Sequence, residues 1–198
     1  ITCVKPAGTT SCVLGTSSGI HAYHSNYYIR RVRVGKNEAI YNYLSVMHPD
    51  LIEDCVFRPH DTAVISLPQK APLGAITRTE SALDLLERVK LFSETWVDSG
   101  HNEGMNTHNV SATVSIKEDE WKTVGKWMWD NRQYYNGLSV LPYDGGSYKQ
   151  APFEECTKYM YDKLMKSLTE VDLRMVKETE DNTNLQGEIA CAGGQCEI

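Results

Sequence analysis

Val110-Ser111-Ala112-Thr113-Val114-Ser115-Ile116 alternates apolar and small polar residues without a break, and the segment after it, residues 118–135, changes period. In the first stretch every second side chain is apolar, the signature of a strand with one buried face. In the second, Trp121, Val124 and Met128 recur at helical spacing, and Gly137 stands where a helix would stop. Leu138-Ser139-Val140-Leu141 then returns to an extended pattern and runs into Pro142-Tyr143-Asp144-Gly145-Gly146, a turn-rich loop. Strand, helix and strand in that order predict an α/β architecture with parallel strands.

Working outward, Thr77 and Glu80 have the spacing of a capping box ahead of Leu83, Leu86, Val89, Phe92 and Trp96, which predicts another helix. Tyr27-Tyr28-Ile29-Arg30-Arg31-Val32-Arg33-Val34 and Asp61-Thr62-Ala63-Val64-Ile65-Ser66-Leu67 are rich in β-branched residues and read as strands, the second ended by Pro68. Arg30, Arg31 and Arg33 form a basic cluster that either assists an anion or is a solvated strand face. A last helix is expected over residues 153–167, with Tyr159, Met160, Lys163 and Leu164 on one side. From about Val176 the periodicity fails, and Glu178-Thr179-Glu180-Asp181-Asn182-Thr183-Asn184 is polar and acidic, as a disordered tether would be. The expected organisation is a folded body over residues 1–175 and a tail over 176–198.

Composition narrows the function classes. The 198 residues are 41% hydrophobic and 23% charged, ordinary for a globular chain with one sizeable core. A net charge of −6 disfavours general nucleic-acid binding, because a phosphate backbone repels it. Apolar runs such as Ala63-Val64-Ile65-Ser66-Leu67 fall far short of the roughly 20 residues that span a bilayer. The chain opens on Ile1 with no basic-then-apolar leader, so the expectation is either a processed protein or the C-terminal piece of a longer one, in the cytosol. The six cysteines are scattered apart from the last two, and most are expected to be reduced.

Three motifs can carry chemistry. Pro6-Ala7-Gly8-Thr9-Thr10-Ser11 looks like a helix start with exposed backbone N–H groups, able to hold an anion or serving as a plain cap. It is not a Walker loop, since no Gly-Lys-Ser/Thr follows at the required spacing. Cys191 and Cys196 are five residues apart around Gly193-Gly194, which lets the chain fold back until the sulfurs meet. Such a dithiol suits thiol–disulfide exchange; incidental thiols on a frayed end, or half of a zinc site, are the alternatives. His21 and His24 are three apart, as helix-borne metal ligands are, but the Gly-Ile before them argues for a loop. Trp121, Trp127 and Trp129 read as core or interface anchors, and the sequon Asn109-Val110-Ser111 as chance.

Taken together, several collinear motifs resemble the C-terminal half of an adenosylcobalamin-dependent (class II) ribonucleotide reductase, of the short, monomer-type ribonucleoside-triphosphate kind found in bacteria and their phages. They are Lys5-Pro6-Ala7-Gly8-Thr9-Thr10-Ser11, Gly19-Ile20-His21, Tyr28-Ile29-Arg30-Arg31-Val32-Arg33, Asn109-Val110-Ser111, Gly137-Leu138-Ser139-Val140-Leu141-Pro142-Tyr143, Gln150-Ala151-Pro152 and Ala190-Cys191-Ala192-Gly193-Gly194-Gln195-Cys196. The resemblance implies the C-terminal part of a ten-stranded α/β barrel, with a flexible tail. In that family a thiyl radical, generated with adenosylcobalamin, removes the 3′ hydrogen of a ribonucleotide, and two cysteines then reduce the 2′ carbon. The resemblance makes Pro6, Ala7, Gly8, Thr9, Thr10 and Ser11 the substrate-phosphate loop, with Ala7 where many relatives have Ser. It places Val140, Leu141, Pro142, Tyr143 and Asp144 on the cobalamin side, and makes Cys191 and Cys196 the disulfide shuttle restored by thioredoxin or a similar dithiol. Pro142 removes a phenol that class I enzymes use in radical relay. The family's thiyl loop, Asn-Pro-Cys-x-Glu, does not occur in this sequence. The expected function is therefore that of a partner to an N-terminal half, acting on ribonucleoside triphosphate; a non-catalytic module binding nucleotide or thioredoxin is the rival.

Overall fold

The computed structural model describes residues 4–101, 103–143, 148–178 and 180. In chain order its elements are α1 (Thr9–Leu14), β1 (Tyr27–Gly35), α2 (Ala39–Met47), β2 (Ile52–Asp54), β3 (Thr62–Lys70), α3 (Ala82–Phe92), α4 (Asp98–Gly100), β4 (Thr113–Ile116), α5 (Trp121–Asp130), β5 (Ser139–Pro142), β6 (Phe153–Glu155) and α6 (Lys158–Ser167). They form two compact units that interleave along the chain: Ile1–Tyr23 with Leu73–Gly145, and His24–Pro72 with Gly146–Glu197. Among the described residues, no helix is long and apolar enough to cross a membrane.

The first unit is built on parallel pairing. β4 pairs with β5 from Thr113↔Ser139 to Ile116↔Pro142, and across the opposite edge of β4's run Val4 makes a parallel bridge to Val110. The predicted alternation holds: Val110, Ala112, Val114 and Ile116 are all buried, against Leu85, Leu86 and Val89 of α3 and Val124 and Trp127 of α5. Removing that apolar surface from water, at roughly 25 cal/mol per Å², is what holds the unit together. Trp127 donates its Nε1–H to Glu87 Oε1 at 2.5 Å, whereas Trp121 and Trp129 stay exposed, so one of the three expected anchors is a core residue.

The start of α3 differs from expectation. Ser81, not Thr77, is the cap: its Oγ accepts from Asp84 N–H at 3.2 Å, and the Asp84 carboxylate accepts from Ser81 N–H at 2.9 Å. Thr77 is held extended by a bridge to Tyr23, and Glu80 is taken by Arg88. The Glu120 carboxylate adds a second tie, accepting from Ala82 N–H at 3.0 Å and from Lys117 N–H at 2.9 Å. Beyond Phe92 the helix widens into a π turn, Ser93–Val97, which leaves Trp96 exposed rather than continuing the buried stripe.

The second unit holds an antiparallel sheet of order β2-β3-β1-β6. β1 pairs with β3 antiparallel over nine positions, Tyr27↔Lys70 to Gly35↔Thr62, so the parallel arrangement expected of the architecture does not extend to this sheet. In this unit neither α2 nor the three-residue β2 was expected from the sequence. β1 and β2 both run antiparallel to β3, so α2 does connect co-directional strands, and β3 returns between them. β3 also runs through Pro68 to Lys70; β2 pairs only with Ala63, Val64 and Ile65, so Pro68 lies where β3 has a free edge and its missing N–H is tolerated. Phe153–Glu155, expected as helix, is strand β6 on β1, and α6 begins only after Thr157, whose side chain accepts from Met160 N–H. The inward side of α6 carries Tyr161, in ring contact with Tyr27 at 5.2 Å, while Tyr159 is exposed.

The arginines of β1 are a clamp. Arg30, Arg31 and Arg33 donate to the carbonyls of Pro152, Ala151 and Gln150 respectively, each at 3.2 Å. Arg31 also pairs with Glu154 at 2.6 Å and Glu53 at 3.5 Å. Gln150 is buried with a left-handed backbone, φ 55°, and its amide accepts from Val56 N–H at 2.9 Å and donates to Asp54 O at 2.8 Å. The cluster is thus not simply a solvated face: it fastens residues 150–152 to the sheet.

Candidate functional site

The Pro6-to-Ser11 motif lies in the first unit, immediately after the Val4 bridge. The chain leaves Val4, passes Lys5 and Pro6, and enters α1 at Thr9 with Gly8 as its N-cap. Gly8 and Thr10 are exposed, Pro6 and Ala7 are half-buried, and Ser11 is buried. The Ser11 hydroxyl turns back toward the carbonyls of Ala7 and Gly8, the latter at 2.7 Å, and the Ala7 N–H donates to Ser18 Oγ at 3.0 Å. Those two groups are therefore spent on holding the loop, and the backbone N–H groups of the first turn are the donors without an intrahelical acceptor. α1 ends at Gly15 in the left-handed conformation, φ 63°.

The base of the loop is closed by Gly19-Ile20-His21. Gly19 has φ 59° and sits so close to Lys5 that a Cβ there would stand 2.6 Å from the Lys5 carbonyl oxygen, so both its dihedral and its lack of side chain are required. His21 uses both ring nitrogens: Nδ1 donates to Ser18 O at 2.8 Å, and Nε2 accepts the Thr113 N–H at 2.9 Å. That arrangement is a neutral imidazole with its proton on Nδ1. His24 belongs to the second unit, where its ring stacks on Phe153 at 5.6 Å, so the two histidines read together in the sequence face different tasks.

The other proposed wall is the end of β5, in the same unit. Val140 packs partly against the core, while Leu141, Pro142 and Tyr143 are exposed; Asp144 lies outside the described residues. Tyr143 N–H donates to Ile116 O at 2.8 Å, which carries the parallel register one residue past the strand. Its ring has the Arg78 guanidinium at 5.5 Å and Lys117 Nζ at 6.0 Å from its centroid. Sequence reading passed over both cations; the signal for Lys117 was its position directly after β4. Because the strands are parallel, the loops following Val4 and β5 leave in the same direction, at the carboxyl ends where open α/β sheets bind ligands.

Asn109 explains another motif. Its amide donates to Gly137 O at 3.0 Å and its Oδ1 accepts from Asn136 and Gly137 N–H, so it ties the approach to β4 to the approach to β5. Cys191 and Cys196, with residues 181–198, lie outside the described residues. Of the cysteines described, Cys12 is exposed, Cys55 buried and Cys156 half-buried, all as free thiols. Burial, with Glu154 and Glu155 beside it, pushes the Cys156 thiol up, which makes it a poor thiolate at neutral pH.

No family model matches the chain. It is similar over its whole length to curated reductases. The adenosylcobalamin-dependent ribonucleoside-triphosphate reductase of Lactobacillus gasseri is 29% identical over 212 residues, which are 100% of this chain and 26% of that protein. The protein of the same name from Euglena gracilis is 28% identical over 205 residues, 99% of this chain and 26% of that one. A solved crystal structure of a B-12 dependent (class II) ribonucleotide reductase superposes with a TM-score of 0.68 at 26% identity, over 85% of this chain and 23% of that one. The resemblance drawn from the motifs is upheld in sequence and in fold. The chain spans about a quarter of the length of these relatives.

Proposed function

We propose that this chain provides the substrate-phosphate loop, one wall of the cofactor site and the terminal dithiol of a class II ribonucleotide reductase, and works together with the N-terminal portion of such an enzyme. The observation that supports the reading is the similarity along the whole chain to adenosylcobalamin-dependent ribonucleoside-triphosphate reductases. On this reading residues 1–175 belong to a ten-stranded α/β barrel, residues 176–198 are the tail that carries Cys191 and Cys196, and the protein works in the cytoplasm, that of a bacterial host if phage-encoded.

The substrate is a ribonucleoside triphosphate, its phosphates lying against the Gly8, Thr9, Thr10 and Ser11 amides. Ser11 and Ala7 keep the loop in shape through their internal hydrogen bonds. Adenosylcobalamin fits the β5 end in character: Leu141 and Pro142 offer exposed apolar surface, and the Tyr143 ring stands beside two cations, which suits a large planar molecule bearing a phosphate. When bound, adenosylcobalamin supplies the radical that initiates turnover. Each reduction replaces the 2′-hydroxyl by hydrogen, releases water and oxidises two cysteine thiols to a disulfide. Cys191 and Cys196 then exchange with that disulfide, becoming oxidised themselves, and a thioredoxin-like dithiol restores them.

Mixing this chain with the N-terminal portion, adenosylcobalamin, a ribonucleoside triphosphate and thioredoxin should yield deoxyribonucleotide; no complex and no product would overturn the reading. Replacing Cys191 and Cys196 by Ser should abolish multiple turnover and leave about one reduction per active site, because the shuttle alone is removed. Unchanged thioredoxin-supported turnover would remove the dithiol from the scheme.

A further inference from the structure

His21 stands at a junction the proposed function leaves unassigned. On the edge of β4's run that faces away from β5, Ser111 N–H donates to Val4 O at 2.9 Å. Thr113, two residues on, presents its N–H to the same side, because successive residues of a strand alternate their hydrogen-bonding direction. By then the chain has left the Val4 bridge to form the loop, and the acceptor that Thr113 finds is His21 Nε2 at 2.9 Å. The imidazole replaces the missing strand. Its other nitrogen donates to Ser18 O at 2.8 Å, and the same Ser18 accepts the Ala7 N–H at 3.0 Å through Oγ. A continuous chain of hydrogen bonds thus runs from the β4 backbone through His21 and Ser18 to Ala7, inside the Pro6-to-Ser11 loop.

We propose that His21, as the Nδ1-protonated tautomer, is the positioning residue of the triphosphate-binding loop: it sets the loop's amides relative to β4 through Ser18. This rests on the assignment of the loop to phosphate in the preceding section. His21 does not touch the phosphate itself. Its side chain is suited to the task because a neutral imidazole offers one donor and one acceptor on a rigid ring, so it can take an N–H from a strand and give one to a turn at a set separation. The close approach of Gly19 to Lys5 holds the same turn from its other side.

The test follows the backbone amides of Gly8, Thr9, Thr10 and Ser11 by NMR while inorganic triphosphate is titrated into the full chain, in wild type and in His21→Ala, His21→Gln and Ser18→Ala. Wild type should show triphosphate-dependent shifts at these amides and an unprotonated Nε2 on His21 in long-range nitrogen–proton spectra. His21→Ala should weaken triphosphate binding about tenfold, the equivalent of one unreplaced hydrogen bond, with the resonances of Val114 and Val124 unchanged. Ser18→Ala should weaken it in the same direction, and His21→Gln, whose amide oxygen can accept from Thr113, should recover most of the loss. Wild-type affinity in His21→Ala, failure of His21→Gln to recover any of the loss, or the opposite tautomer, would overturn the positioning role and leave the phosphate loop standing. If His21→Ala does not fold, Ser18→Ala decides: wild-type affinity there overturns the proposal. Wild-type amides that ignore triphosphate would overturn the phosphate assignment, and the proposal with it.

Discussion

The two units put polar side chains to different uses. In the first, Glu120, Asn109 and His21 each tie backbone segments of different elements together, and exposed residues collect where the parallel strands end. In the second, three arginines are turned inward on one segment, residues 150–152, and the Gln150 amide is spent on Asp54 O and Val56 N–H. Motifs that resemble one family therefore divide into two kinds. Those of the first unit border a candidate site, and those of the second that lie among the described residues, Tyr28-Ile29-Arg30-Arg31-Val32-Arg33 and Gln150-Ala151-Pro152, are halves of a single fastening.

The contrast can be broken by mutation, and the chain carries a convenient reporter: all four tryptophans, Trp96, Trp121, Trp127 and Trp129, lie in the first unit. The largest effect is expected from Leu86→Ala. Leu86 is fully buried among Val89, Val114 and Val124, and the cavity should cost about 3 kcal/mol, read as an earlier urea transition in tryptophan fluorescence. Gln150→Ala should cost about 2 kcal/mol by leaving Val56 N–H and Asp54 O without their partners. Its mark should be faster hydrogen exchange at Val56 with the early tryptophan signal unmoved; a tryptophan transition shifted as far as in Leu86→Ala would erase the distinction between the units.

Ser81→Ala should cost about 1 kcal/mol through loss of the α3 cap. It should also change the pH response. The hydrogen bonds from Ser81 hold the Asp84 carboxyl below the usual carboxylate range, so the stabilisation they bring is complete above that range and is lost as pH falls through the lowered value. The wild-type unfolding midpoint should therefore fall more steeply on acidification than that of Ser81→Ala; parallel pH curves would exclude the cap as the source. The smallest effect is a gain. Gly125 lies inside α5 with nothing within 4 Å of an added Cβ, so Gly125→Ala should raise first-unit stability by up to about 1 kcal/mol in the same fluorescence assay.

How much of this was legible in the sequence follows from where the signals are local. The alternation of Val110 to Ile116 is enforced by one buried face, so its reading as a strand with that face inward needed no partner to be known. Strand direction is different: β3 runs back against β1 through a pairing between segments distant in sequence, and β2, three residues without a pattern, is the strand that runs with β1. The cap of α3 was misplaced because Thr77 and Ser81 both head acceptable spacings, and only the bridge from Tyr23 keeps Thr77 extended. Within the candidate site, the Pro6-to-Ser11 loop was legible as a helix start, whereas the roles of Gly19 and His21 were not, since each acts on a residue distant in sequence, at Lys5 and Thr113. Arg78 was missed for the same reason, being brought to Tyr143 by a pairing that no local pattern announces, whereas Lys117 had the signal of following β4 directly.

The interleaving of the two units bears on the order in which a ribosome can complete them. β1 and β3 are both synthesised by residue 70, so the nine-residue ladder of the second unit can form before any of β4 or β5 exists. The first unit must then wait for Pro142, with Val4 and His21 already made and their partners Val110 and Thr113 still to come. Later, Gln150 and β6 emerge to meet arginines made more than a hundred residues earlier. Neither unit can be finished as an uninterrupted stretch of nascent chain, and α6, whose Tyr161 meets the Tyr27 ring, follows the arginine clamp in the second.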